Sequence, residues 1–317
     1  MKYFYVISII IILISGCSRP ESIDIYTLKG PTGMAMSFMM ENHKSIAGKT
    51  IDYHIVDSPL RVKAAVLDNS AEIAAMPLNL ASIIFNTHGN IKLLTVNTLG
   101  VLYIVGNDTA INSIDDLKNR KILVTAKGST PEILLRILLS EHGIDPERDA
   151  EIIYKYKTHS AASAALLAGI AETALIPEPF VTLIKSRNES LKQLIDISAV
   201  WDSIHQDTLM LIQGVMTVRN DFIEDNRDFI DSFLLYYDNA VDFANTQYDS
   251  ANSLYSKFSI LPDDIKPDSG FAGRCSMVNM PADSFRDEIL KYLQFIHNYD
   301  ERWSGGTVPG NEFFISR

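Results

Sequence analysis

The sequence predicts an α/β protein built as two similar lobes that face each other across a cleft. Three observations predict it. Short apolar strand patterns alternate with helical patterns from Ile23 to Ile197. A Gly-rich turn running from a strand straight into a helix occurs twice, as Lys29-Gly30-Pro31-Thr32-Gly33 and as Lys127-Gly128-Ser129-Thr130-Pro131. The chain also echoes itself. Shifted by 100 places, Glu72-Ile73-Ala74-Ala75-Met76-Pro77 falls on Glu172-Thr173-Ala174-Leu175-Ile176-Pro177, and Ala64, Ala65, Leu67 and Ile84 fall on Ala164, Ala165, Leu167 and Ile184.

The N-terminus reads as a processing signal. Lys2 supplies a positive charge and Tyr3 to Ile14 a short apolar run, the length of a secretory leader rather than a membrane span. The run ends in Ile14-Ser15-Gly16-Cys17, a bacterial lipobox pattern. Residues 1–16 are therefore expected to be a lipoprotein signal peptide, with Cys17 lipidated as the mature N-terminus. That places the protein outside the cytoplasm, tethered to the cell envelope by lipid. With two cysteines in all, Cys275 is then left alone, no internal disulfide forms, and burial as a small apolar residue is its expected role.

Composition narrows the partners. A net charge of −11 argues against nucleic acid, and 47% hydrophobic with 21% charged residues is ordinary for a globular chain. The seven histidines show no metal-ligand spacing, and no nucleophile-elbow, phosphate-loop or dinucleotide motif occurs. Neither a metal nor a cofactor is expected.

In the first lobe, strands are expected at Ile51–Val56, Glu72–Met76, Ile91–Val96 and Val101–Val105. Helices are expected at Met34–Ile46, Leu60–Leu67 and Leu78–Thr87, the last stopped by His88-Gly89. In the second, Ser113 caps a short helix. Strands at 121–126, 152–156, 173–176 and 194–197 then alternate with helices at 132–142, 161–168 and 180–186. After that, Leu209 to Val218 reads as a strand pair around Gly214. Long helices at 225–247, 249–258 and 282–303 follow, with 262–281 loop-rich, and these helices are expected to return to the first lobe. The expected division is 17–105 plus 211–317 for the first lobe and 106–210 for the second. The chain would cross between them twice, as at a hinge.

Helix starts expose unpaired N–H groups, so the two Gly-rich turns are the primary binding candidates. Gly30, Thr32 and Gly33 would offer N–H groups and a hydroxyl to an acidic or carbonyl-bearing ligand. Ser129 and Thr130 would do the same from the other lobe, although Ser129 with Glu132 also suits a capping box. Asn79 follows the strand-ending Pro77 and is a candidate hydrogen-bonding partner or helix cap. Glu178, fixed between Pro177 and Pro179, would accept a ligand N–H or hold its own loop. Trp201 is a candidate to stack on a flat ligand, and Met34 to line an adaptable pocket.

The lipobox, Gly30-Pro31-Thr32-Gly33, Ala75-Met76-Pro77-Leu78-Asn79 and Pro177-Glu178-Pro179-Phe180 together resemble the substrate-binding lipoproteins of ABC importers, in the group that handles nitrate, sulfonates, taurine and thiamine precursors. The resemblance spans essentially the whole mature chain. It implies the type 2 periplasmic binding-protein fold, each lobe a mixed sheet flanked by helices. It also implies a monomer that clamps a small organic, anionic or heteroaromatic ligand and delivers it to a permease and its ATPase. No arginine stands beside either turn in the sequence, and the Cys-rich motif of one vitamin-precursor branch is absent. An enzyme on the same scaffold, such as a menaquinone-pathway-like lyase, and a surface-anchored ligand sensor are the alternatives. The lipobox and the lack of an acid/base pair argue against the enzyme.

Overall fold

The computed structural model describes residues 22–125, 127–206, 208–262, 265 and 267–316. The expected leader and Cys17 lie outside them.

The chain opens on strand β1 (Ile23–Leu28), whose alternate residues are buried. Pro31 then starts helix α1 (Pro31–Asn42), its missing N–H costing nothing at that position. Strands β2 (Ser45–Ile46) and β3 (Lys49–Val56) follow, then helix α2 (Pro59–Leu67), capped by the Ser58 hydroxyl accepting from the Leu60 N–H. Strand β4 (Ile73–Pro77) runs directly into helix α3 (Leu78–His88), which Gly89 ends at φ 68°. Strand β5 (Ile91–Thr98) closes this first pass.

The second pass repeats it. Strand β6 (Leu102–Gly106) leads through a short 3₁₀ turn to β7 (Lys121–Leu123), α4 (Thr130–Glu141), β8 (Glu151–Ile153), α5 (His159–Leu167), β9 (Thr173–Pro177), α6 (Phe180–Arg187), β10 (Lys192–Asp196) and α7 (Ile197–His205). The chain then lays down β11 (Gly214–Arg219), α8 (Asn220–Ile223), α9 (Arg227–Thr246), α10 (Tyr248–Lys257), α11 (Phe271–Cys275), β12 (Met277–Pro281) and α12 (Arg286–Tyr299).

Two mixed sheets result. One has the order β12-β5-β11-β4-β1-β3-β2, the other β10-β6-β9-β7-β8. Aligned from β5 and β10, they match strand for strand: an antiparallel insert, then three parallel strands. The inserts are β11 and β6, the strands that the chain lays down just after passing from one sheet to the other. The sequence echo is thus structural. β4 and β9 start at Ile73 and Thr173, and α2 and α5 at Pro59 and His159. Even the helix ends agree, with Asn69 at φ 61° where the second lobe has Gly169 at φ 68°.

On one face of the larger sheet, Met34, Met36 and Met39 of α1 pack against Phe229, Phe233 and Tyr237 of α9. Each such side chain contributes about 2 kcal/mol on burial. A second cluster is continuous across both lobes, joining Met76 and Ile84 to Ile104, Leu134 and Leu138 through Trp201 and Tyr292. A third fills the far face of the smaller sheet, under α5 and α6.

Some expectations change. The strand expected over Val101–Val105 in the first lobe is β6 of the smaller sheet, since the chain has already crossed, and the first helix ends at Asn42 rather than near Ile46, with Ser45–Ile46 forming β2. Leu209 to Gln213 is not strand; only Gly214–Arg219 is, because the preceding residues form the passage between sheets. The loop-rich stretch hides β12, an edge strand whose Pro281 needs no ladder partner on its open side. Residues 197–205 form a helix, capped by Asp196.

The repeat supplies its own control for a stability test. At Gly169, Gly169→Ala forces a left-handed alanine and is expected to cost about 1–2 kcal/mol. Gly169→Asn, copying Asn69, is expected to cost clearly less. Denaturant melts of the two variants check this, and equal losses would remove the equivalence.

Candidate functional site

The four helix starts that follow β1, β4, β7 and β9 meet in pairs at the seam between the lobes. Gly30, the residue before α1, adopts φ 141°, and a Cβ there would lie 4.0 Å from Pro179 Cδ, at the start of α6. Thr130, the first residue of α4, donates its hydroxyl to Asn79 Oδ1 in the first turn of α3 at 3.0 Å. Helices α1 and α4 are equivalent in the repeat, as are α3 and α6. Each lobe's first helix therefore meets the other lobe's third, as a local two-fold would require. α1 and α3 carry no side-chain cap on their first turns. The seam thus gathers helix N-termini, each with partial positive charge.

The Glu178-Pro179 bond is cis. Glu178 is fully buried and accepts from the Thr182 N–H (3.0 Å) and the Thr182 hydroxyl (2.9 Å), both within its own lobe. It also accepts from Arg274 Nε at 2.7 Å. Arg274 lies on α11, whose Phe271 and Cys275 belong to the core of the larger sheet. It reaches the second lobe again through Thr182 Oγ1 at 3.1 Å, and the Tyr103 hydroxyl donates to the Arg274 carbonyl at 3.2 Å. On its own side it bonds Asp268, and this hydrogen bond holds the Asp268 carboxyl below the usual carboxylate range. An arginine thus does stand beside the Glu-Pro-Phe turn. It was not legible in the sequence because 96 residues separate it from Glu178 and no motif surrounds Gly273-Arg274-Cys275.

Comparison with known proteins agrees with this architecture. The profile of the family described as ABC transporter, phosphonate, periplasmic substrate-binding protein matches residues 36–258. The chain belongs to this family. It is the substrate-binding component of an ABC importer. Solved structures share the fold along nearly the whole chain. An ABC transporter protein from Parabacteroides distasonis is 23% identical with a TM-score of 0.79, covering 93% of this chain and 99% of that one. The periplasmic aliphatic sulphonate binding protein SsuA from Escherichia coli is 18% identical at TM-score 0.70, covering 93% and 96%. The periplasmic nitrate-binding protein NrtA from Synechocystis is 13% identical at TM-score 0.59, covering 77% and 68%. No protein of curated function matches the sequence. The family acts in the periplasm, and no helix among the described residues is long and apolar enough to cross a membrane.

The other candidates of this substrate-binding protein sort by burial. Thr32 is engaged locally, accepting from the Thr27 hydroxyl at 3.0 Å and donating to the Leu28 carbonyl at 3.3 Å. Gly33 is a packing glycine, since a Cβ there would lie 2.5 Å from the Leu28 carbonyl oxygen. Met34 is fully buried in the core of the first lobe. Trp201 is fully buried too, its indole donating to the Leu209 carbonyl at 2.7 Å while the ring packs on His205 and Phe295. Both therefore lie in the core rather than on the seam. Ser129 donates to the Thr125 carbonyl at 2.6 Å, and the Glu132 carboxylate takes the Gly128 N–H, so the second turn is held by Glu132. Gly30, Asn79 and Thr130 are the candidates that the structure brings to contacts between the lobes. Glu178 reaches that seam through Arg274.

His159 opens α5 beside the second turn. Its Nδ1 lies 3.2 Å from Thr125 Oγ1 and its ring rests on Phe180. Burial lowers its pKa to about 4. The folded state therefore takes up this proton less readily than the unfolded one, whose His titrates near 6.5. Stability from this residue is complete above about pH 6.5 and falls as the pH drops towards 4, by on the order of 3 kcal/mol. Thermal melts from pH 7.5 to 4 check this, with His159→Gln expected to flatten the dependence across that window. Gly33→Ala, which pushes the start of α1 off β1, is expected to cost about 1–3 kcal/mol in denaturant melts.

Proposed function

We propose that this protein captures a small organic oxyanion, of the phosphonate or sulfonate type, between its lobes and hands it to the permease of an ATP-driven importer. The observation that carries the reading is the pairing of four helix starts across the seam, at Gly30–Pro179 and at Asn79–Thr130. Converging N-termini favour a tetrahedral or planar oxyanion, which accepts several N–H and O–H bonds at once. The family and its phosphonate description support this class, as do neighbours named for sulphonate and nitrate. Gly30 through its backbone, and Asn79, Ser129 and Thr130 through side chains and helix starts, are the contacts we assign. The lobe division that goes with this reading keeps 211–317 with the first lobe but ends that lobe's first segment before Leu102 rather than at 105, because β6 pairs within the smaller sheet. So does a monomer anchored to the cell envelope by lipid on Cys17, at the periplasmic or outer face of the membrane.

Binding without turnover is part of the proposal. Three groups near the seam that could do chemistry are engaged or quenched. Glu178 is held in three bonds, burial keeps His159 neutral, and burial pushes the Cys275 thiol well up.

A thermal-shift panel of alkylphosphonates, alkanesulfonates, nitrate, sulfate and neutral controls tests the assignment. One or more organic oxyanions are expected to raise the melting temperature in proportion to the logarithm of concentration over Kd. Asn79→Ala with Thr130→Val is expected to weaken that ligand by tenfold or more with little change in the unliganded melt. Stabilisation by neutral compounds alone would remove the oxyanion reading.

A further inference from the structure

We propose that Arg274 is the positioning residue for capture: it is a reversible latch that grips Glu178 when the lobes meet and is held ready by Asp268 when they part. This deepens the capture reading above and rests on lobe closure, though not on the class of ligand.

The case lies in which bonds cross the seam and which do not. Arg274 Nε to Glu178 Oε1 (2.7 Å) and Nη2 to Thr182 Oγ1 (3.1 Å) cross it. Its bonds to Asp268, Nη1 to Oδ1 at 2.9 Å and Nη2 to Oδ2 at 3.3 Å, stay within the first lobe. Glu178 has the mirror arrangement. Two of its acceptor positions are filled by Thr182 in its own lobe, and only the third is offered across. Separation therefore strands neither charge. The guanidinium keeps a carboxylate partner, and the carboxylate keeps an N–H and a hydroxyl.

A permanent bridge needs no such reserve. A buried ion pair that loses one partner is strongly destabilised when the remaining charge has nothing to bond. Here the reserve bonds remove that penalty, and Asp268 is 58% exposed, so water reaches the pair from its side. The planar fork also sets geometry. Glu178, Thr182 and Asp268 are met together in only one orientation of α11 against α6, so the latch fixes the register of closure as well as its extent. The same register brings Gly30 against the neighbouring Pro179, at the assigned ligand contacts.

The test reads lobe separation in unliganded protein. Nitroxide labels at Leu60→Cys and Ser160→Cys, which occupy exposed equivalent positions in the two lobes, are placed in a Cys17→Ser background that leaves the buried Cys275 untouched. Pulsed dipolar distance distributions are compared for the parent, Arg274→Gln, Arg274→Lys, Glu178→Gln and the Arg274→Gln/Glu178→Gln pair. The parent is expected to hold a short-distance population. Each single variant is expected to lower its ratio to the long-distance population by fivefold or more, and the double by no more than the larger single effect. Arg274→Lys keeps the charge and the fold but not the fork, so its loss separates geometry from charge. A parent with no short-distance population overturns the latch, as do variant distributions that superimpose on the parent or effects that simply add. Loss of ligand stabilisation across the oxyanion panel, with the latch intact in this assay, would count against the ligand reading alone.

Discussion

The structure depends on an exchange of strands. Each sheet is completed by the strand that the chain lays down just after arriving from the other: β6 between β10 and β9, β11 between β5 and β4. Neither core can form until the chain has passed between the lobes, and each passage is gripped by hydrogen bonds at both ends. Gln213 donates to Thr98 while accepting from Leu78, and Val101 accepts from Glu178. No side chain is tolerated at the tightest points. A Cβ on Gly100 would lie 1.9 Å from Ser198 Oγ, and one on Gly214 would lie 2.5 Å from Asn97 Oδ1. The lobes are held to one axis because each connection that joins them runs directly into an inner strand of the sheet it reaches.

That constraint explains why the helix starts face each other. A parallel strand that feeds a helix places the helix N-terminus at the strand's C-terminal edge, which is where ligands of open α/β sheets sit. Two lobes related by strand exchange turn these edges together, so α1 meets α6 and α4 meets α3. Each terminus carries about half a positive charge. Two that meet in a pair repel, and the Asn79–Thr130 hydrogen bond at one pair and the buried Glu178 carboxylate at the other are set against that repulsion. An anion held at the same place would turn that repulsion into attraction, and so would favour the closed arrangement that the Arg274–Glu178 contact also fixes.

Much of this was legible in the sequence, for physical reasons. Strand-turn-helix junctions announce themselves through Gly and Pro, and the 100-residue echo survives because β4 and β9 need the same small apolar residues at the same depth. Side-chain placement was less legible. Thr32, Met34 and Gly33 share one turn, yet one is a local hydrogen-bonding partner, one is core and one is a close-approach glycine. Only the path of β1 beneath them decides which. Trp201 reads as a stacking candidate because a flat ring can pack on a flat ligand; here its indole N–H bonds to Leu209 and its ring closes the core. Arg274 escaped because its meaning comes from a tertiary contact. β12 escaped because five residues ending in proline carry little periodic signal.

The two sides of the molecule differ in what holds them. Towards the passages, an apolar cluster runs unbroken from one lobe to the other through Trp201, Tyr292 and Leu134, and α12 is tied to α4 by the Tyr299 hydroxyl on Glu141. Separating those surfaces would expose hydrocarbon to water at about 25 cal/mol per Å². At the seam the described contacts include hydrogen bonds and an ion pair, and water replaces these at small net cost. An apolar weld on one side and an exchangeable polar contact on the other make a hinge. The cheapest motion keeps the weld closed and opens the polar edge, where Gly30, Pro179 and Arg274 lie.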